Sequence, residues 1–322
     1  MYINEVVIDE DKEKLNLIAK EVGCIFNTIN WVNLFEKSIK IFGIYENDGL
    51  LIGGFFLFIE NRFLLKIVQN PAFTPFIGPF FKIESKNNSA ILTKKKEIIK
   101  KIAEFIENFS YSILSISLNY DILDTQPFIW KKFKVTPRYS YIIYLQNDIE
   151  TIYSNFSQER KNDIKKAIKD KLYSKNIEDY NIVKNLILKT FDRQKLKINE
   201  FYLNKILFEF SNSENSFAFV TFKDERPISC TFCIYDKNKA FYILGGYDND
   251  LKHHGAGALS ILESIKYSKS LGLKEFDFEG SMVPQIEKYF RGFGGNLVSY
   301  YRVNKAKLPL EILLKFIKRE LF

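Results

Sequence analysis

The sequence predicts an α/β protein made of two copies of one unit, each a mixed, mostly antiparallel sheet flanked by helices. The first observation is a triple of apolar strands joined by polar turns, IKIFGIYENDGLLIGGFFLFIENRFLLKIVQ, in residues 39–69. The second is the same layout at similar spacing in FAFVTFKDERPISCTFCIYDKNKAFYILGGYD, residues 217–248. Helices precede each triple, and a loop, a helix and another strand follow it. Such internal similarity is the sequence signature of a duplicated unit.

Length and composition support this organisation. The 322 residues can form one large core or two domains of roughly 150 residues. A hydrophobic content of 46% with 16% aromatic residues excludes a disordered chain. The longest apolar runs, such as Gly49–Ile59, are too short to span a bilayer, and no signal pattern opens the chain, so we expect a cytoplasmic protein.

Charge and cysteine usage are weaker guides to function. The net charge of +8 favours anionic partners such as nucleotides, RNA or an anionic membrane surface, although lysines scattered over helices also explain it. Three cysteines suit a reducing compartment. Cys230 and Cys233 lie three apart in a strand, where side chains point to opposite faces. We therefore expect both in the core and no metal site.

The first unit is predicted to cover residues 1–137. Its expected elements are a helix over 9–20, a second helix at Trp31 capped by Thr28 or Asn30, strands 40–45, 50–59 and 62–69 with turns at 47–49 and 60–61, a helix over 88–109 and a strand over 111–118. Three prolines and several aromatic residues make NPAFTPFIGPFF, residues 70–81, a loop. This loop is either buried or lines a cleft.

The second unit is predicted to cover residues 138–306. Its expected elements are a strand over 139–145, a helix in 155–172 with Ile164, Ala167, Ile168 and Leu172 buried, helices over 182–191 and 199–211, strands 217–222, 228–235 and 240–246, a helix ending at Leu271, a strand over 274–278 and a helix near 285–289. Residues 307–322 form an amphipathic basic helix that packs on the first unit or lies on an anionic membrane.

The loop between the last strand of the second triple and its helix is the first candidate site. It reads Lys252-His253-His254-Gly255-Ala256-Gly257, after a strand whose Gly245-Gly246 end can diverge from its neighbour. A glycine turn that opens a helix offers N–H groups and the positive dipole end, which suit a pyrophosphate. Lys252 and the two histidines add donors. An ordinary strand-to-helix turn explains the glycines equally well.

Acidic residues follow the next strand. Asp277 and Glu279 lie at its carboxyl end, where open α/β sheets place their sites, and either could take a proton from an attacking ammonium group. The alternative is a cap for the following helix. Farther on, Tyr289 could protonate a leaving group, and Arg291 could bind a phosphate or carboxylate. Both could instead be structural.

At these residues the chain resembles the FemAB-like branch of the GNAT acyltransferase superfamily, a tandem of two GNAT units. The resemblance is carried by FDFEG (Phe276–Gly280), YFRGFGG (Tyr289–Gly295), NFSQERKNDIKKA (Asn155–Ala167) and the duplication. Residues 252–257 are similar to the basic-x-x-Gly-x-Gly pattern that acetyl-CoA-dependent GNAT enzymes use on the donor's pyrophosphate. Two tandem GNAT-like units are therefore the expected fold.

The resemblance implies transfer of an acyl or aminoacyl group to a primary amine. In the bridge-forming enzymes of this branch the donor is aminoacyl-tRNA and the acceptor is a cell-wall precursor. Those enzymes commonly carry a lysine two places before the glycine of the final turn, where this chain has Phe290. The coiled-coil arm of some members is also missing. Both departures weaken the case for aminoacyl-tRNA, and the Lys252–Gly257 loop indicates acyl-CoA as the donor instead.

The leading hypothesis is a cytoplasmic N-acyltransferase with its donor at Lys252–Gly257 and no metal. The acceptor would be a small or nucleotide-linked amine, such as an amino sugar nucleotide. Its expected contacts are Phe73, Phe76, Arg138, Tyr247 and Arg291. The second hypothesis is an aminoacyl-tRNA-dependent aminoacyltransferase of cell-wall precursors. The third is a non-catalytic binding or membrane-peripheral protein.

Overall fold

The computed structural model describes all residues from Met1 to Phe322 and divides them into two compact units. Unit 1 comprises Met1–Arg138 and Ser299–Phe322, and unit 2 comprises Tyr139–Val298. The sequence placed residues 299–306 in the second unit, whereas their contacts group them with unit 1. The expected fold class is confirmed: each unit has a largely antiparallel sheet flanked by helices.

The strands of unit 1 follow the order β1-β2-β3-β4-β6-β13, and β5 pairs with β3. All of these pairings are antiparallel except that of β4 with β6. The strands are β1 (Tyr2–Glu5), β2 (Ile39–Tyr45), β3 (Leu51–Arg62), β4 (Leu65–Gln69), β5 (Phe80–Phe81), β6 (Ile113–Ser117), and the unit 1 parts of β7 (Lys134–Tyr144) and β13 (Asn296–Ala306).

Helices cover this sheet and complete the core of unit 1. They are α1 (Asp9–Val22), α2 (Ile29–Val32), α3 (Asn88–Asn108), α4 (Gln126–Trp130) and α11 (Leu310–Ile317). Leu15 of α1 and Ile98 and Ile102 of α3 are buried against apolar residues of the sheet. The Thr28 hydroxyl accepts a hydrogen bond from the Trp31 amide, so the predicted cap of α2 is confirmed.

The strands of unit 2 follow the order β7-β12-β11-β10-β9-β8. Only β11 and β12 are parallel. Besides the second half of β7, the strands are β8 (Tyr173–Asn176), β9 (Ser216–Lys223), β10 (Arg226–Tyr235), β11 (Lys239–Tyr247) and β12 (Glu275–Asp277). The predicted triple of strands is thus the antiparallel meander β9-β10-β11.

One helix of unit 2 is buried along most of its length. This is α9 (Ala256–Ser270), whose Leu259, Leu262 and Ile265 pack in the core with residues of β9, β10 and β12. The other helices are α5 (Ile149–Ser154), α6 (Gln158–Lys169), α7 (Tyr180–Arg193), α8 (Glu200–Asn204) and α10 (Pro284–Arg291). Since α9 follows β11 directly, its N-terminus lies at the candidate donor loop.

Several local predictions were wrong. The turn after β3 lies at Phe63-Leu64, with Phe63 left-handed at φ 53°, and not at residues 60–61. Apolarity misled the prediction here, since this turn leaves both side chains fully solvent-exposed. Ile168 is 60% exposed and not buried. The helix expected over 199–211 is α8 followed by a π-helical turn, Lys205–Phe210. The strands β1, β5, β8 and β13 were not predicted.

The C-terminal helix α11 buries none of its residues. Leu313, Phe316 and Ile317 are 53%, 83% and 65% exposed, which leaves an apolar surface open on this helix. No helix of the protein combines the length and apolarity that a membrane span needs.

Candidate functional site

The site forms where β11 and β12 diverge. The two parallel strands pair only from Lys239–Phe241 to Glu275–Asp277, whereas β11 continues to Tyr247. Beyond Phe241 the edge of β11 is therefore not paired with β12. A bulge adds to the divergence, since Cys233 pairs with Tyr242 and Phe232 with Leu244, which leaves Ile243 as the extra residue.

Two glycines, Gly245 and Gly246, lie on this diverging segment; the sequence predicted that they let the strand diverge, whereas their surroundings show that they allow close packing. A Cβ at Gly245 would lie 2.0 Å from the Tyr242 hydroxyl, and one at Gly246 would lie 2.6 Å from the Leu186 backbone of α7. The glycines thus let Tyr242 and α7 lie directly on the strand. Their role is steric, because neither has a positive φ.

A cavity of about 830 Å³ opens beside this segment, within unit 2. Ligand sites commonly have this size. It brings together seven predicted site residues: Tyr247, Lys252, His253, His254, Gly257, Glu279 and Tyr289. Gly255, Ala256, Asp277 and Arg291 belong to unit 2 but do not line the cavity.

Glu279 is the acidic residue that faces the cavity. Its Oε1 is shielded from solvent and has no hydrogen-bond partner. Burial, and then the nearby Asp277 carboxylate, raise the pKa of Glu279 well above its usual range, against the lowering effect of Lys239. The residue is also left-handed, with φ 54°. A strained carboxyl with a raised pKa in a cavity is the arrangement that a general base needs.

Asp277 holds the turn that presents Glu279. Its buried Oδ1 accepts hydrogen bonds from the Ser140 hydroxyl at 2.6 Å and from the Glu279 amide at 2.8 Å. Gly280 completes the turn at φ 66°, where a Cβ would lie 1.9 Å from the Tyr139 carbonyl oxygen. The two acidic residues are therefore placed differently: Asp277 shapes the backbone, and Glu279 is presented to the cavity.

The candidate donor loop, residues 252–257, is fixed by His253, which is buried. Its Nε2 is 3.1 Å from Asp170 Oδ2, while its Nδ1 accepts a hydrogen bond from the Gly255 amide. The pairing with His253 lowers the pKa of Asp170. The His253 carbonyl accepts a bond from the Ala256 amide. Two amides at the start of α9 are thus engaged, which leaves those of Gly257 and Ala258 for a ligand.

The two glycines of the loop have different surroundings. A Cβ at Gly255 would lie 2.0 Å from the Asp163 carbonyl oxygen, so packing of α6 requires this glycine. A Cβ at Gly257 would meet only the Tyr289 hydroxyl, at 3.1 Å, on the cavity side. Lys252 and His254 are exposed at the cavity.

Tyr289 lies over the start of α9 and is supported by Arg160. The Arg160 guanidinium stacks 4.5 Å from the centre of the tyrosine ring and pairs with Asp163 at 2.8 Å. Burial raises the pKa of Tyr289, so its hydroxyl stays protonated at neutral pH. The predicted α6 segment therefore contributes to the site through Arg160, a link that residue spacing did not reveal.

Other candidate residues lie outside the cavity. Arg291 is 60% exposed and pairs with Glu287 at 2.9 Å. In unit 1, Phe76 is buried against Phe26, Tyr120 and Tyr300 and cannot reach a ligand without moving. Phe73 is half-buried and left-handed at φ 57°. Contacts of Phe73, Arg138 and Arg291 with an acceptor stay a prediction.

The cavity also has a wall that the sequence did not indicate. Thr190, Phe191, Arg193 and Gln194 of α7 and the turn after it line one side. Arg193 donates a hydrogen bond to Asn249 Oδ1 at 2.9 Å, which places another cation beside the donor loop. These residues are distant from the loop in sequence, and only the packing of α7 on β11 brings them near.

Comparison with known proteins identifies a GNAT domain and related folds. Residues 199–291 match the family model of the acetyltransferase (GNAT) domain. FemX is similar over 98% of this chain and 100% of its own, with a TM-score of 0.68 and 11% identity. L-PGS from Bacillus licheniformis is similar over 96% of both chains, with a TM-score of 0.55 and 11% identity.

A tandem GNAT protein from the clavulanic acid biosynthesis pathway is similar over 94% of this chain and 98% of its own, with a TM-score of 0.53 and 10% identity. No curated protein matches the sequence. The domain match and the shared fold confirm the resemblance to the FemAB-like GNAT branch.

Proposed function

We propose that this chain, which matches the GNAT domain model over residues 199–291 and shares the fold of FemX, transfers an acyl group from acyl-CoA to a primary amine. The acceptor is a small envelope or polysaccharide precursor, such as an amino sugar nucleotide. The observation that carries the proposal is the free edge of β11 beside Glu279. An extended donor with amide groups can pair with such an edge as an added strand would.

The residues at the cavity supply the steps of aminolysis. Glu279 takes a proton from the ammonium group of the acceptor, and the free amine attacks the thioester carbonyl. An amide N–H on the bulged segment of β11 stabilises the oxyanion. The C–S bond then breaks and Tyr289 protonates the departing sulfur. The proton that the new amide nitrogen loses returns to Tyr289 through solvent, and Glu279 releases its proton to solvent. The raised pKa of each residue suits its role, because Glu279 then accepts a proton readily and Tyr289 retains one.

Cations beside the loop support a donor that carries phosphates. Lys252 borders both the main cavity and an adjoining cavity of about 800 Å³, where Lys223 and Arg226 bring the cations to three, against the two carboxylates of Asp224 and Asp250. The amides of Gly257 and Ala258 add donors at the positive end of α9. The long phosphate-bearing end of acyl-CoA fits this distribution of charge.

The alternative donor is aminoacyl-tRNA, which the similarity to FemX keeps as the second candidate. The residue at position 290 does not favour aminoacyl-tRNA as the donor. Phe290 packs on Phe278 and Tyr242 at ring distances of 5.1 and 5.7 Å, so this position adds an aromatic wall and no cation. A site for RNA would gain most of its affinity from phosphate contacts.

Calorimetry with acetyl-CoA and with charged tRNA separates the two donors. We expect acetyl-CoA to bind with a modest dependence on salt. We expect Lys252→Ala to weaken that binding by roughly tenfold through the loss of one charge-assisted contact. Lys165→Ala, which removes an exposed lysine from α6, is the matched control and should change nothing. Tight tRNA binding with a steep salt slope, and none of acetyl-CoA, would overturn the donor assignment.

A further inference from the structure

Two arginines of unit 1 lack any acidic partner. Arg138 and Arg302 are both half-buried, and neither forms an ion pair. Arg302 Nε donates one hydrogen bond, to the Ser117 hydroxyl at 3.1 Å. Arg138 Nε is shielded from solvent and has no partner at all. A guanidinium has five N–H donors, and burying a guanidinium away from water without an anionic partner costs free energy. Both groups therefore have donors available for a ligand.

The sheet brings these two side chains to one face. On β13 and β6, Arg302 is opposite Ser117 and Asn304 is opposite Ser115. Thr136 of β7 is linked to Asn304, whose amide donates to the Thr136 hydroxyl at 3.3 Å. Arg138 follows Thr136 by two residues and so shares its face. Burial, and then the positive charge of Arg138, lower the pKa of Arg302, as expected for neighbouring cations.

Aromatic rings border the same face. Tyr300, two residues before Arg302, lies 5.1 Å from Phe76 and 5.4 Å from Tyr120. The proline-rich loop that carries Phe76 is anchored by Asn70, whose side chain accepts from the Ser117 amide at 2.8 Å and donates to the Pro75 carbonyl at 2.6 Å. Two half-buried tyrosines thus stand next to the arginines.

We propose that Arg138 and Arg302 form an anion-binding site in unit 1 that takes a phosphate group. Two adjacent cations with no carboxylate between them match a dianion better than a single carboxylate, and guanidinium groups bind phosphate oxygens in pairs. Resting on the proposed function, the site recognises a phosphorylated acceptor, because Lys252 and the α9 amides serve the donor in unit 2. Sequence analysis singled out Arg138 and missed Arg302.

The first test measures phosphate binding without any turnover. Titration of the whole protein with inorganic phosphate and with pyrophosphate should show binding that Arg302→Gln and Arg138→Gln each weaken by about 10–100-fold. Arg62→Gln is the matched control, since Arg62 is exposed and already paired with Glu60. Unchanged phosphate binding in both variants would refute the site.

The second test distinguishes this site from the donor site. With glucosamine 6-phosphate and glucosamine as acceptors, the variants should raise KM for the phosphorylated amine alone by about 10–100-fold. KM for acetyl-CoA and for glucosamine should not change. An increase in KM for acetyl-CoA would assign the arginines to the donor and contradict the proposal. If no acyl transfer is found, the proposed function fails, while phosphate titration still decides the site.

A third readout excludes a merely structural role. Because two unneutralised cations repel each other, Arg302→Gln should keep or raise the melting temperature of the phosphate-free protein and should reduce the stabilisation that phosphate gives. Arg302→Lys keeps the charge and should restore part of the binding. A large fall in melting temperature without phosphate would show that the arginine holds the fold and would count against a ligand site.

Discussion

Substitution of Glu279 by glutamine tests the central residue of the site. Gln preserves the shape of the side chain and its carbonyl oxygen but cannot accept a proton from the amine. A positioned general base contributes about 10²–10⁴ in rate, which corresponds to roughly 3–5 kcal/mol in the activation barrier. We therefore expect kcat to fall by that factor, with KM for acyl-CoA nearly unchanged, because Glu279 acts on the acceptor.

The same substitution should make the protein more stable at neutral pH. The pKa of Glu279 is higher in the folded state than in the unfolded state, so the folded protein holds the proton more tightly. Its contribution to stability is therefore present below the ordinary pKa of about 4.3 and is lost as the pH rises through the folded pKa. At pH values above the folded pKa, each unit by which folding raises the pKa of Glu279 lowers the free energy of unfolding by about 1.4 kcal/mol. Glutamine removes this cost.

Steady-state kinetics and thermal unfolding at pH 4.5 and pH 8 measure both effects. The gain in melting temperature for Glu279→Gln should be larger at pH 8. Wild-type kcat should fall as the pH drops through the raised pKa, and the variant should lose that dependence. Glu275→Gln, which changes a half-buried carboxylate of the preceding strand β12, is the control. If Glu279→Gln retains kcat within about threefold, the reasoning about the base is refuted.

Three further predictions concern Gly280, Gly257 and Phe316. Gly280→Ala should lower the free energy of unfolding by about 2–4 kcal/mol, because its Cβ would meet the Tyr139 backbone at 1.9 Å. The control is Gly272→Ala, at a glycine that is also left-handed but has open space around it. It should lower the free energy of unfolding, measured with denaturant, by only about 1–2 kcal/mol. Gly257→Val should crowd the Tyr289 hydroxyl and raise KM for acyl-CoA by roughly tenfold, and an unchanged KM would remove Gly257 from the donor site. The exposed apolar surface of α11 beside Lys315 should bind anionic vesicles. Phe316→Glu should abolish co-sedimentation, whereas Phe63→Glu, at a phenylalanine that is even more exposed, should not.

Much of the fold could be predicted because its signals are local. The strand triple 217–248 alternates with polar turns, and each of its strands was placed within two residues of the observed bounds. Strands β1, β5 and β8 were missed because each has four residues or fewer. Strand β13 was missed because its polar face, with Arg302 and Asn304, weakens the apolar pattern. The strands that pair with β13 are determined by the tertiary fold and not by residues close to it in the sequence.

The candidate site was predictable only in part. The glycines and charges of 245–257 and 277–289 are visible in sequence, and the structure gathers most of them at one cavity. The sequence did not show which of the two acidic residues, Asp277 or Glu279, faces that cavity. Their different placement depends on a backbone turn in which Glu279 is left-handed, with φ 54°. Two contacts depend on helix packing, which residue spacing in the sequence does not predict. They are the hydrogen bond between His253 and Asp170 and the stacking of Arg160 on Tyr289.

One measurement tests the central claim most directly: mass-spectrometric detection of acyl transfer to amino sugars and their nucleotides, with acetyl-CoA and charged tRNA supplied in parallel. We predict an N-acylated product that requires acetyl-CoA, forms with the wild-type protein and Glu275→Gln, and is reduced at least about a hundredfold in Glu279→Gln. A product that forms only with charged tRNA, or equally well with Glu279→Gln, would contradict it.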